Sequence, residues 1–273
     1  MSALYWQDSV AEGTHMGVFE NYARYYNVLY HDKNYAEETF FILSCLLQQG
    51  CQPTTILDLG CGTGRHALEM FRQNITVTGV DMSTTMLEMG RSLYAKMTPL
   101  PNGKSLPRLL EGDARNVRLH ETFDAVTSLF HVMSYQNSEE DALAELETAR
   151  IHLTTGGFFL FDFWYGPGVL TDPPTERDRQ MEDEQTLVQR HAHPVHRFND
   201  NIVEVHYSIA LTDKSSGKCS HLTEMHSMRY WFLPELRYLA FQSGFTVAAE
   251  GAWLSFDAPT CNTWNAWMAL KKC

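Results

Sequence analysis

Alternating aspartates and glycines carry the densest chemical signal in this sequence. Asp58, Gly60, Gly62 and Gly64 stand at every second position of ILDLGCGTGRHALEM (56–70), Asp81 closes TVTGVD, and Asp113 stands in EGDARNV. Glycines between an apolar run and a helical one let the backbone approach a ligand closely, and the helix start offers unpaired N–H groups and partial positive charge. An aspartate at the carboxyl end of the following strand is placed to accept from two vicinal ribose hydroxyls. Two phosphate readings fail on spacing: a GxGxxG counted from Gly60 meets Arg65 at its third glycine, and the Gly-Lys-Ser/Thr ending of a P-loop is absent. A nucleoside without a pyrophosphate suits the loop better.

A second group sits in LFHVMSYQ (129–136). Ligands of open α/β sheets gather at the carboxyl ends of the strands, so His131 and Tyr135 are candidates to orient a nucleophile or take its proton. Packing or capping is the alternative for both. Trp164, in DFWYGP, reads as the wall of an acceptor site or as a core aromatic, and Arg229 as a residue that could meet a phosphate. His191, His193 and His196 in HAHPVHRF lack Cys, Asp or Glu neighbours at ligand spacing, and strand alternation turns His196 away from the other two. No metal site is expected. Asp172-Pro173-Pro174 is followed by Thr175 instead of an aromatic and reads as a loop.

The elements that must position these residues follow from periodicity. YAEETFFILSCLLQQG (35–50) keeps helical spacing to Gly50, and ILDLG, TVTGVD and FDAVTSLF then alternate with helical stretches at 64–73, 83–96 and 138–153. GGFFLFDFW (156–164) adds a buried strand. Such alternation predicts a doubly wound α/β fold, its sheet mostly parallel and covered on both faces. After Trp164 a Pro- and charge-rich stretch precedes strand-like segments at 186–197, 201–212 and 220–232, an antiparallel insertion before the last helix, PELRYLAFQSGF. FTVAAE and TWNAWMALK close the sheet as a hairpin.

Composition limits the partners. The 273 residues carry 33 acidic and 21 basic side chains, a net charge of -12, so neither nucleic acid nor an acidic lipid surface is an expected partner. Six cysteines without a CxxC pair, no basic-then-apolar leader and no apolar run near the about 20 residues of a membrane span predict a reduced, cytoplasmic protein. The exposed face of the insertion sheet leaves a homodimer possible.

The glycine loop, GVDMSTTML, EGDARNV and FDAVTSLFH arrive in the order and spacing of the class I S-adenosylmethionine-dependent methyltransferases, and roughly residues 20–165 resemble that family. The resemblance implies a seven-stranded sheet with S-adenosylmethionine as cofactor. Asp58, Gly60 and Gly62 would form the loop against its amino-acid tail, Asp81 would hold the ribose, Met82 would pack on the adenine and Asp113 would accept from the adenine amine. Ala114 would donate a backbone N–H to the ring, and Leu129 would line the site. It also implies an N-terminal lid within residues 1–50. Of the tyrosines in NYARYYNVLYHDKNY (Tyr22, Tyr26, Tyr30, Tyr35), Tyr26 is the candidate to reach the cofactor's carboxylate, with a half-buried amphipathic helix as the alternative.

Over nearly the whole chain the order of LYHDKNY, the glycine loop, EGDAR, FDFWYGP, IVEVHY and TEMHSMRYWF resembles the N,N-dimethyltransferases of nucleotide-linked amino sugars. Where those tend to carry Phe-Ser-Ser-Ile-Gly-His, this chain has Phe130-His131-Val132-Met133-Ser134-Tyr135. The expectation is a single domain (1–273) with an insertion (165–232) over the acceptor site, methylating the amino group of a small molecule, a nucleotide-linked sugar. Another class of small-molecule acceptor, or a silent cofactor-binding protein, is the alternative.

Overall fold

The computed structural model describes residues 25, 26, 28, 29, 33–97 and 105–273. Tyr22 and Tyr30 lie outside the described residues.

Local chemistry sets the element boundaries. Helix α1 (Tyr35–Gln48) starts where Asn34 accepts from the Glu37 N–H at 3.1 Å, with Glu37 and Glu38 in its first turn. Strand β1 (Thr55–Leu59) runs into the glycine loop, and α2 (Arg65–Arg72) follows at once. After β2 (Thr76–Asp81), Ser83 caps α3 (Thr84–Ala95) by accepting from the Met86 N–H. β3 (Arg108–Glu111), β4 (Phe123–Ser128) and a 3₁₀ turn (Val132–Tyr135) lead to α4 (Glu139–His152), which Ser138 caps. Glu139, Glu140 and Asp141 occupy its first turn, with Arg150 in its last, matching the helix dipole at both ends. β5 (Leu153–Trp164) and a six-residue helix, α5 (Gly166–Thr171), follow.

Next come β6 (Arg177–Glu182), β7 (Thr186–Arg197), β8 (Ile202–Asp213) and β9 (Cys219–Arg229), then α6 (Leu233–Gln242), β10 (Phe245–Ala252) and β11 (Asn265–Lys272).

The seven-stranded sheet has the order β10-β11-β5-β4-β1-β2-β3. β3, β2, β1, β4 and β5 are parallel, and β11 runs antiparallel to both its neighbours. Both faces are buried, by period-two alternation. Leu57, Leu59, Phe159, Phe161 and Phe163 pack into one core with Leu146, Trp231 and Leu236, while Ile56, Phe158 and Leu160 pack into the other with Phe41, Ile42 and Leu46. The expected class I methyltransferase architecture is thus present. Among the described residues no helix is long and apolar enough to cross a membrane.

Strands β6-β7-β8-β9 form a separate four-stranded sheet, its β6–β7 pair antiparallel. β6 lies in the charge-rich stretch RDRQME, where no strand is expected, because its exposed residues carry no apolar alternation. The expected strand over 220–232 spans 219–229, since Leu233 begins α6. The chain divides into two compact units: one takes residues 1–33, 174–196 and 204–226, the other 34–173, 197–203 and 227–273. In the first, helical Tyr25 and Val28 are buried against Val188, Ile209 and Leu211 of the four-stranded sheet. Tyr26 is half-buried in this unit.

Candidate functional site

The site is built from the carboxyl ends of β1, β2, β4 and β5. Gly60 (φ 71°) and Gly62 (φ 55°) adopt left-handed backbone that side chains disfavour. A Cβ on Gly60 would meet Val132 Cγ2 at 2.4 Å, so absence of a side chain there also lets the loop after β4 approach. Gly60 and Cys61 donate to the Val80 carbonyl at 2.8 and 2.9 Å, holding the loop against β2.

Asp81 fixes two turns at once. Its Oδ2 accepts from the Gly62 N–H at 2.7 Å and its Oδ1 from the Ser83 N–H at 2.8 Å. Each carboxylate oxygen keeps a lone pair for a hydroxyl. Burial raises the Asp81 pKa, and the Ser83 and Gly62 N–H groups pull against it. Beside it, Met82 is 42% exposed, an uncovered apolar side chain on which a purine face can rest. This cradle and charge fit a nucleoside bound through its ribose.

The other expected cofactor residues are placed differently. Asp58 is buried, accepts from Thr127 Oγ1 at 2.8 Å and ties β1 to β4. Burial lifts its carboxyl to about 6, with His66 and Thr127 pulling it down. Asp113 accepts from the Arg115 backbone N–H at 2.9 Å and from its guanidinium at 2.6 Å, while Arg115 also reaches Asp141 at 2.8 Å. Burial works upward on Asp113, yet the Arg115 bonds hold its pKa below the ordinary value. Ala114 is partly buried against the core, and Leu129 is buried among Ile56, Ala67 and Leu160.

The loop after β4 carries backbone strain. Phe130 (φ 63°) and His131 (φ 67°) are consecutive non-glycine residues in left-handed backbone, a cost that clusters at functional sites. Asp162 holds this turn: the His131 N–H donates to its carboxylate at 3.2 Å, and His131 Nδ1 lies 2.6 Å from Oδ2, in ion-pair contact though outside hydrogen-bond angles. The Trp164 ring stands 6.4 Å from the His131 ring and 4.8 Å from that of Trp264, and its backbone N–H donates to Ser134 Oγ at 2.9 Å. His131, Phe130, Trp164 and Trp264 thus form an aromatic cluster with one imidazole. Tyr135, partly exposed, ends the 3₁₀ turn.

Glu145 clamps both ends of the same loop. Buried in α4, it accepts from Ser128 Oγ at 2.6 Å and from Gln136 Nε2 at 2.7 Å, and burial lifts its carboxyl to about 7 against those bonds. Spacing does not single out Asp162 or Glu145. For Asp162 a signal exists, a lone carboxylate in the aromatic run FFLFDFW, which must be held by a specific partner. Glu145 has no such signal in its acid-rich helix.

Arg229 is already engaged. It pairs with Glu235, donates to the Asn137 carbonyl at 3.4 Å and lies 4.1 Å over the Trp231 ring. The histidines of HAHPVHRF bind separate partners: His191 meets Asp178 at 2.8 Å, His193 meets Glu176 at 2.7 Å and His196 meets the Pro174 carbonyl at 2.8 Å. Among the described residues no three His, Cys, Asp or Glu side chains group to hold a metal.

The fold and the nucleoside cradle are similar to those of the class I S-adenosylmethionine-dependent methyltransferases. Residues 56–157 match the methyltransferase domain family. Two curated relatives are more particular. The chain is 27% identical over 230 residues, 84% of this chain and 89% of the relative, to the dTDP-3-amino-3,4,6-trideoxy-alpha-D-glucopyranose N,N-dimethyltransferase of Streptomyces venezuelae. It is 26% identical over 71% of both chains to the dTDP-3-amino-3,6-dideoxy-alpha-D-glucopyranose N,N-dimethyltransferase of Streptomyces fradiae. Its fold superposes with a TM-score of 0.77 on an S-adenosylmethionine-dependent methyltransferase from Clostridium acetobutylicum, at 20% identity over 93% of this chain and 99% of that one.

Proposed function

We propose that the protein N-methylates the amino group of a small, nucleotide-linked sugar. The observation that carries this reading is the imidazole of His131, backed by the buried Asp162 carboxylate and standing beside Trp164 where β4 and β5 end. The named activities of the Streptomyces relatives support the acceptor class.

When bound, S-adenosylmethionine supplies a sulfonium methyl whose C–S bond breaks as the lone pair of a neutral amine forms the new C–N bond. The chain's own residues align and dry that approach. In this reading Gly60 and Gly62 lie along the amino-acid tail, with Asp58 bracing the loop. Asp81 holds the ribose, Met82 packs on the adenine, and Asp113 and Ala114 serve its edge. Leu129 and Trp164 wall the reacting groups. With Asp162 in contact on its Nδ1 side, His131 takes the amine's proton at Nε2, and Tyr135 orients the acceptor. Tyr26 serves the cofactor's carboxylate from an N-terminal lid within residues 1–50, and the 165–232 insertion serves the acceptor within one methyltransferase domain. Arg229 would have to exchange Glu235 to meet a phosphate. The same reading has the protein act in the cytoplasm without nucleic acid, membrane or metal, as a monomer or homodimer.

The test is incubation with S-adenosylmethionine and a panel of nucleotide-linked amino sugars, read by mass spectrometry for one or two added methyl groups. Transfer to phenols or carboxylates instead would overturn the acceptor class. His131→Ala should lower kcat by about 10²-fold, the scale of a lost general base, with cofactor affinity retained.

A further inference from the structure

Four aromatic side chains meet where β4 and β5 end, and none of them is fully buried: Phe130, His131, Trp164 and Trp264. Trp264 stands directly before β11, and neither motif nor spacing singles it out. Its indole N–H donates at 2.9 Å to the carbonyl of Asp172, the residue that ends α5. That short helix lodges against the turn with no room for a side chain, since a Cβ on Gly168 would overlap the Thr263 carbonyl. Trp164 is held as firmly. Its backbone N–H donates to Ser134 Oγ at 2.9 Å, and it pairs with Asn265 across the antiparallel β5–β11 ladder. Both indoles are therefore preorganised by contacts outside their ring faces.

The rings make a corner. The Trp264 ring centroid lies 4.8 Å from that of Trp164 at an interplanar angle of 62°, and the Trp164 ring lies 6.4 Å from His131 at 65°. At such steep angles they stand as walls and do not stack face to face, and Phe130 adds a ring 5.3 Å from the imidazole. Aromatic faces are negative. Behind them the buried Asp162 carboxylate, 2.6 Å from His131 Nδ1, adds a formal negative charge. Such surroundings repel a carboxylate or phenolate and attract an alkylammonium. Methyl transfer to an amine creates that cation: as the new C–N bond forms and the sulfonium C–S bond breaks, the positive charge passes from sulfur to nitrogen, which keeps its proton until His131 Nε2 takes it. Groups fixed where charge develops lower the barrier without reorganising.

We propose that Trp164 and Trp264 form a cation-binding corner that holds the acceptor nitrogen as it becomes an ammonium, with Trp264 selecting amines over anionic acceptors. This deepens the amino-group reading and rests on it for its place in the reaction, but the binding is measured without any sugar. Calorimetry on the full chain saturated with S-adenosylhomocysteine compares choline with 3,3-dimethylbutan-1-ol, its uncharged isostere. Choline should bind about 10-fold more tightly. Trp264→Leu should abolish that preference and Trp164→Leu should reduce it. Trp264→Phe, which loses the indole N–H but keeps a ring face, should retain part of it, as a mere anchor for α5 would not. Unchanged affinity for S-adenosylhomocysteine reports that the variants are folded. Equal binding of choline and the alcohol by the wild type, or binding of neither, overturns the corner, and a wild-type preference in Trp264→Leu overturns the role of Trp264. If the wild type methylates nucleotide-linked amino sugars and Trp264→Leu keeps its kcat and KM, the corner falls and the function stands. If choline is preferred through Trp264 but no amino sugar is methylated, the function falls and the corner stands.

Discussion

The glycine loop of the parallel sheet and the four-stranded sheet, where Arg179 faces Arg190 and Arg190 lies over the Tyr207 ring, both gather polar groups, but by different means. In the first, backbone does the positioning: left-handed glycines and N–H groups accepted by Asp81 fix the cradle, and a side chain at Gly60 has nowhere to go. In the second, side chains from β6 to β9 meet only because consecutive strands pair side by side in one sheet. An arrangement set by backbone tolerates few substitutions, and one set by side chains on a half-exposed sheet tolerates many. This is why the first can be found by motif and the second cannot.

The sharpest way to break the contrast is Gly60→Val. A β-branched residue at φ 71° with Val132 Cγ2 at 2.4 Å should cost about 2–4 kcal/mol in stability and remove S-adenosylmethionine binding by calorimetry. Wild-type affinity would show that the loop is adaptable. Next in size, Asp81→Ala deletes the acceptor of the Gly62 and Ser83 N–H groups and should weaken cofactor binding by about 1.5–3 kcal/mol. Unchanged binding would mean that the carboxylate only braces the turn.

Glu145→Gln sharpens the comparison through pH. The Glu145 carboxyl is raised from 4.5 to about 7, so the folded chain binds more protons than the unfolded one between these values. Its contribution to stability is therefore fully present below pH 4.5 and lost as pH rises to about 7. The stability of the Gln variant relative to wild type should rise across that window and stay level above it, as read by denaturant midpoints at several pH values. The smallest effect is expected on the other sheet. His193→Ala removes an exposed pair with Glu176 and should change stability by less than about 0.5 kcal/mol, leaving cofactor binding intact.

The sequence by itself determined the alternation that makes a doubly wound sheet and the spacing of Asp58, Gly60, Gly62, Asp81 and Asp113 along it. Such signals are local: periodicity reports which face is buried, and a glycine loop reports a backbone shape within a few residues. Tertiary structure alone decided that Asp58 is spent on Thr127, that Arg115 occupies Asp113 and that Glu235 occupies Arg229. It also decided that Asp162 stands behind His131, 31 residues away, and that Arg179 faces Arg190 from a stretch with no strand pattern. A charged side chain's role depends on which opposite charge or donor the fold brings within about 4 Å, and residue type and spacing carry no record of that distance.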